Sequence, residues 1–374
     1  MSNKKAIVVG AGIAGMAMAR ALAIKGYQVT VIERSDKAVG ASIRNFGMVW
    51  PVGQPSGMLY EAALMSAEIW KSSAKEANFF ADPVGSFHLA YHADEAKVLE
   101  ELYEVYHKER HFQLMTPDEV VEKSPAVVKE GLRCGLYSPT EVIVDPVEAI
   151  AALPDYLHHR YHINFIWGKA VLVIENLQVI TIDVTYSADL VIVCSGADFE
   201  HLYPVYFKQL PITKCKLQMM RIESQPECWR IGPALCGGLS LIHYHSFKAA
   251  KSLDILRERY QIELPEYLKW GIHVMVSQNG KGELIIGDSH EYATTFDPFD
   301  KQFINTMITD YLKTFAAFKS DKLAASWNGI YPKLTNGNAY LFDQVEPGVY
   351  LFNGLGGAGM TLSFGLSTKL VEGL

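Results

Sequence analysis

The chain has 374 residues, of which 49% are apolar and 20% charged, the ordinary balance of a globular protein long enough for two domains. The net charge of −7 speaks against a nucleic-acid-binding surface, which needs clustered Lys and Arg. Five cysteines (Cys134, Cys194, Cys215, Cys228, Cys236) form no CxxC pair and no metal-ligand spacing, which suggests reduced thiols in a cytoplasmic protein.

Residues 5–10 (KAIVVG) form a β-branched run expected of a strand buried on both faces. A helix follows at 13–25 and a second strand, YQVTVIE, at 27–33, giving the β-α-β unit of a parallel sheet. The apolar stretch 6–24 could pass for a signal peptide or a membrane span, but its regular glycines and the strand after it fit a buried strand–turn–helix better. A loop rich in Gly, Pro and Ser spans 34–57. Helices are expected at 58–78 and 94–110, and a short one after Thr116, which caps it.

The middle of the chain turns to β-character. Residues 165–186 read as a meander and 188–197 (ADLVIVCSGA) as a buried strand ending in a tight turn. Apolar–polar alternation marks 215–223, HYHSF at 243–247 reads as a strand, and a helical piece covers 248–260. Strands at 271–277 and 283–287 precede a helix at 299–318, whose Met and Phe residues read as core. The chain closes with a strand, a glycine turn and a final helix from Gly348 onward. Nucleotide-binding segments thus lie at the start, middle and end, so a second domain must be inserted between them. The division reads 1–80, 140–210 and 320–374 for the nucleotide domain, with 81–139 and 211–319 for the other.

Gly10-Ala-Gly12-Ile13-Ala14-Gly15 is a GxGxxG turn between a strand and a helix, the context that motif requires. The glycines allow a sharp turn, close backbone approach to a pyrophosphate, and tight helix–strand packing, while the helix start offers free N–H groups. Glu33 stands where an acid accepts hydrogen bonds from ribose hydroxyls, about 20 residues on. Three further segments favour FAD over NAD. Arg34 and the polar loop Ser42-Ile-Arg44-Asn45-Phe-Gly47 offer donors to phosphate and ring. Ser195 and Gly196 end a buried strand with small residues. Gly354, Leu355, Gly357, Met360 and Thr361 belong to a second glycine turn opening a helix, suited to a long cofactor and able to stabilise charge on a reduced isoalloxazine.

The ordered set AIVVGAGIAG, VIER, SIRNFG, DLVIVCSGA and NGLGGAGMTLS resembles the D-amino-acid-oxidase-like superfamily, which includes glycine and sarcosine oxidases. The resemblance spans the chain. It implies an α/β fold: a Rossmann-type FAD-binding domain with an inserted α+β substrate domain, whose mixed sheet roofs the flavin. It also implies FAD contacts at the residues just named and at Ala170 and Val171, through their backbone. Sarcosine oxidases attach FAD through a C-terminal cysteine. The last cysteine here is Cys236, so FAD is expected to be bound non-covalently.

The pattern departs from the family at one place. Amino-acid-oxidising members carry an arginine after a W-x-G-like segment that grips the substrate carboxylate. The segment here reads Trp327-Asn-Gly-Ile-Tyr331-Pro-Lys333, with tyrosine where the arginine is expected. Residues 42–55, with Trp50 and Gln54, and His243-Tyr-His245 resemble a bacterial subgroup associated with aminophosphonate breakdown. A phosphonate's three oxygens suit point donors such as Lys, His, Tyr and Gln.

The candidate substrate residues are therefore His243, His245, His290, Tyr331, Lys333 and Gln54. Each has a plainer alternative: packed or surface histidines, a solvated lysine, a loop residue. His243 and His245 alternate on the expected strand and so share a face. HxH could ligate a metal, but no third ligand is evident and no metal is expected. The implied chemistry is hydride transfer from the amine-bearing carbon of a small substrate to flavin N5, with O₂ or another acceptor reoxidising the flavin. Alternatives are an amino-acid oxidase using Arg44 or Arg221, a flavin-dependent RNA-modification module, and a non-catalytic flavin-binding partner. No nucleic-acid partner and no integral membrane segment are expected.

Overall fold

The computed structural model describes residues 4–374. The alternating apolar run Lys5–Val9 lies in the middle of a six-stranded sheet. Gln28–Ile32 and Leu190–Val193 flank it in parallel, with Val8 opposite Val31 and Ile192. Asn164–Ile166 and Val349–Asn353 extend the parallel set, and Leu341–Glu346 closes one edge antiparallel. Alternation sends Ala6, Val8, Val31 and Ile192 to one face, against the helices Ile13–Ile24, Met58–Ala77, Pro146–Tyr161 and Gly359–Glu372. Ile7, Val191 and Val193 point the other way, onto a three-stranded antiparallel sheet, Val173–Glu175, Gln178–Ile180 and Thr185–Ser187. The expected meander at 165–186 is thus split: its first strand joins the parallel sheet and the rest covers it.

The second unit is a nine-stranded mixed sheet. Its long strand Ile212–Ile222 pairs antiparallel with Leu284–Gly287, Glu291–Ala293 and Leu323–Leu334, while Ala234–Cys236 pairs parallel with Ser86–Ala90. One face packs on helix Gln302–Leu312 through Ile304, Ile308 and Leu312. The other carries Leu217, Met219, Met275 and Tyr331, packs with Phe46, Met48 and Trp50, and roofs the site.

Four expectations need correction. Residues 323–334, expected in the nucleotide unit, pair with Ile212–Ile222 in the large sheet. The segment at 243–247 is not a strand. It joins two 3-10 turns, Gly238–Ile242 and His245–Ala249, so His243 and His245 do not share a strand face. The helix expected over 299–318 is only Gln302–Leu312, and Phe299 (76% exposed) and Phe303 (46%) are not core. Helix Pro146–Tyr161 is an element the sequence reading lacks, although Asp145 caps it by accepting from the N–H groups of Val147 and Glu148. Thr116 caps Pro117–Lys123 as expected, with Glu119 completing a capping box. No helix among the described residues is long and apolar enough to cross a membrane.

Candidate active site

A cavity of about 1450 Å³ runs between the two sheets. This exceeds the usual range for a small ligand alone, roughly 300–1,000 Å³. Gly10, Gly12, Ile13 and Ala14 of the first glycine turn line it, and so do Gly354, Leu355, Gly357, Met360 and Thr361 of the second. A Cβ on Gly12 would stand 3.2 Å from Ser42 Oγ, inside the cradle. Ser42 Oγ accepts from Ile13 N–H at 2.9 Å, and Glu33 Oε2 accepts from Ala11 N–H at 2.9 Å. Arg34, Arg44, Asn45, Ala170, Val171, Ser195 and Gly196 line the same space. A cavity continuous from an acidic strand end past two helix starts fits a long dinucleotide.

Two expected contacts do not line it. A Cβ on Gly15 would lie 1.9 Å from Gly10 O, so this glycine brings helix Ile13–Ile24 onto the turn. A Cβ on Gly47 would lie 1.8 Å from Val144 O, so Gly47 serves the crossing of two strands. Asn353 carries no sequence signal of its role. It is 4% exposed, donates through Nδ2 to Ser195 Oγ and Gly196 O, and accepts from Gly354 N–H, which ties two cavity loops together.

All six candidate substrate residues line the same cavity: His243, His245, His290, Tyr331, Lys333 and Gln54. Tyr331 is buried, and its hydroxyl lies 3.6 Å from where a Gly357 Cβ would be, so it reaches the second glycine turn. Lys333 donates to Tyr292 Oη at 2.9 Å. Arg44 sits at the exposed rim, donating to Asn328 O at 3.4 Å, whereas Arg221 lies outside the cavity beside Glu283. The loop bearing Trp50 and Gln54 is held by two buried polar side chains. Glu141 accepts from Val52 N–H. Arg110, sandwiched by the rings of Tyr60 and Tyr106 at 4.1 and 3.9 Å, donates to Gln54 O and Ser56 Oγ.

The fold also brings in residues that the sequence did not single out, His273 and Asp288. His273 stacks on His243 with ring centroids 3.7 Å apart, and its Nε2 lies 3.1 Å from Asp288 Oδ1. His290 donates through Nδ1 to Gly271 O at 2.8 Å, leaving Nε2 3.9 Å from Asp288 Oδ2. Desolvation holds His243 and His273 well below the usual imidazole range and brings His290 down to about 4, so all three are neutral at pH 7. Burial pushes the Asp288 carboxyl well above its usual value, and Lys333 partly opposes this. The three histidines bring ring nitrogens within 4.8 Å of one another. Their ring planes lie 28°, 32° and 12° from parallel, and His273 and His290 add to His243 the further imidazoles that the sequence did not reveal beside it.

Fold and cavity together define a flavin-type dinucleotide-binding oxidoreductase. The chain belongs to the DAO family: the model described as FAD dependent oxidoreductase matches residues 5–372, and FAD is its cofactor. It is similar to one of the subunits of the opine oxidase of Rhizobium meliloti, 24% identical over 362 residues, covering 92% of this chain and 86% of that protein. It also resembles the tRNA 5-methylaminomethyl-2-thiouridine biosynthesis bifunctional protein MnmC of Saccharophagus degradans, 27% identical over 63% of this chain but only 34% of that protein. Among solved structures, glycine oxidase from Bacillus cereus shares the fold with a TM-score of 0.76 at 18% identity, covering 99% of this chain and 95% of that one. L-proline dehydrogenase from P. horikoshii does so with a TM-score of 0.77 at 21% identity, covering 99% and 92%.

Proposed function

We propose that the enzyme oxidises the C–N bond of a small amine that carries a strongly anionic group, with 2-aminoethylphosphonate or its N-methyl form as the leading substrates. The observation that carries this reading is the wall facing the second glycine turn. Tyr331 occupies the place expected for a carboxylate-gripping arginine, and Lys333, His243, His245 and Gln54 line the same cavity. One bidentate fork suits a planar carboxylate, whereas several separate donors suit a tetrahedral anion. Neutral imidazoles each still offer one N–H donor.

FAD, when bound, supplies the two-electron acceptor that takes hydride from the carbon bearing the nitrogen. The chain's own part is positioning and exclusion of water. Tyr331 and the buried roof close the reacting end, and the Arg110–Glu141 clamp fixes the Trp50–Gln54 loop. The amino-acid oxidase reading keeps only Arg44 as a grip, at the rim. An RNA substrate is opposed by the net charge of −7.

The test is anaerobic. The flavoprotein is mixed with 2-aminoethylphosphonate, its N-methyl form, glycine, sarcosine and a D-amino acid, and bleaching of the flavin band is followed. The aminophosphonates are expected to bleach it fastest. Faster bleaching by glycine, sarcosine or the D-amino acid would make the amino-acid reading the right one, and no bleaching by any amine would remove both.

A further inference from the structure

We propose that Asp288 is the group that anchors the substrate's ammonium and accepts the proton it must lose before oxidation. The inference rests on the amine reading above and adds a residue to it.

The case begins with a buried carboxyl that lacks a hydrogen-bond partner. Asp288 is 4% exposed, and its Oδ1 has no hydrogen-bond partner. Among the described residues its ion-pairing neighbours are two imidazoles, His273 at 3.1 Å and His290 at 3.9 Å, with no Lys or Arg. The one lysine nearby, Lys333, directs its ammonium to Tyr292. A buried carboxylate left this way is costly unless a cation or a proton reaches it. It lines the cavity, and a substrate ammonium brings both.

The surroundings favour a base. Around Asp288 stand His273, His290, Tyr244, Tyr292, Cys215, Tyr331 and Lys333, from five separate segments of the roof. Burial holds His273 and His290 neutral and Tyr331 and Cys215 protonated. Desolvation therefore dominates and raises the proton affinity of the carboxylate.

The step balances simply. The ammonium N–H bond breaks, its electron pair stays on nitrogen, and an O–H bond forms on Asp288. The neutral amine then has the lone pair that oxidation of its carbon requires. His290, held by Gly271, has its Nε2 3.9 Å from Asp288 Oδ2, beside the carboxyl but not hydrogen-bonded to it.

Asp288→Asn keeps the shape and removes the base. Flavin reduction is followed anaerobically from pH 6 to 10 with 2-aminoethylphosphonate, or with the amine that bleaches the wild type fastest. The variant is expected to keep its flavin spectrum, to be reduced about 10²-fold more slowly at neutral pH, and to regain rate as pH rises and free amine accumulates. Asp288→Glu should recover part of the neutral rate. A variant within about threefold of wild type across that range, with the same profile, overturns the inference while leaving the amine reading intact. Failure of every amine to bleach the wild type removes both.

A measurement on the wild type covers the case in which Asp288→Asn loses flavin. 2-Amino-2-methylpropylphosphonate has no hydrogen on its amine-bearing carbon and is not oxidised. Its binding is measured by calorimetry in two buffers of different ionisation enthalpy. Repeated across pH, anchoring by Asp288 predicts a proton release that falls from one per ligand toward zero as pH rises through the titration of the free carboxyl, whereas one proton at every pH, or none at any, overturns it.

Discussion

The two ends of the cavity are built from different materials. The nucleotide end is mostly backbone: two glycine turns, two helix starts and a few short polar side chains. The substrate wall is delivered by strand Leu323–Leu334, the end of Leu284–Gly287, the approach to Met275–Gln278 and a pair of 3-10 turns, and meets the second glycine turn at Tyr331 and Lys333. Backbone cradles tolerate no added atoms but need little else. A side-chain wall tolerates exchange of single members and sets specificity through them. Substitutions at the two ends should therefore fail differently.

The largest effect is expected at the glycine turn. Gly15→Val would put carbon 1.9 Å from Gly10 O, which should cost about 3 kcal/mol or more. Purified protein should carry no flavin, as read by the ratio of flavin to protein absorbance. A yellow, stable Gly15→Val protein would break the distinction between the two ends.

Next comes the clamp of the Trp50–Gln54 loop. Arg110 is 0% exposed and donates to two backbone carbonyls. Arg110→Met should cost about 2 kcal/mol, chiefly from leaving Gln54 O unpaired, since Val52 O keeps its bond from Ser246 Oγ. Melting should show the loss while the flavin spectrum persists.

A third prediction uses acid. His88 is 0% exposed beneath Trp50 and Tyr244, and burial brings it down to about 3. Its unfolded value is higher, near 6.5, so the unfolded chain binds the extra proton first. Stability is then whole above about pH 6.5 and is lost as pH falls toward 3. At pH 4.5 this one group should cost about 3 kcal/mol. His88→Leu should melt with a smaller drop between pH 7 and 4.5 than the wild type. An equal drop would show that acid acts elsewhere.

Lys333 sharpens the comparison from the substrate side. Lys333→Met should raise KM for an aminophosphonate about 10-fold or more, the worth of one charge-assisted hydrogen bond, with flavin content unchanged. Glycine turnover should respond less, and equal loss for both substrates would argue against a phosphonate grip. The smallest effect is expected for Arg34→Ala. Arg34 is an exposed partner of Asp198 at 2.6 Å, worth under about 1 kcal/mol, and its loss should weaken flavin retention only slightly.

The legibility of the chain follows the same division. KAIVVG, the first glycine turn and Glu33 are readable because strand, turn and acid lie within one local unit and each has its own residue signature. Thr116 is readable for the same reason. Helix Pro146–Tyr161 carries a usable signal, Asp145-Pro146 followed by Glu148, that is outweighed by the β-branched residues on either side. HYHSF misleads because alternation of two imidazoles imitates a strand, while Gly237 and Gly238 before it set up tight turns instead. The role of Gly47 is hidden because its need for glycine comes from Val144 O, nearly a hundred residues away.

What the linear chain carried unaided was the phosphate cradle and, through it, the class of cofactor: glycines, helix starts and a strand-end acid act through backbone geometry spanning a few turns. The reacting end was decided by folding. Strand register sets Cys215 opposite Tyr331, and backbone pairing joins His273 to Asp288. A lone histidine or aspartate has no local mark of its role. Its chemistry arises when distant segments desolvate it together, and that depends on packing across the whole sheet.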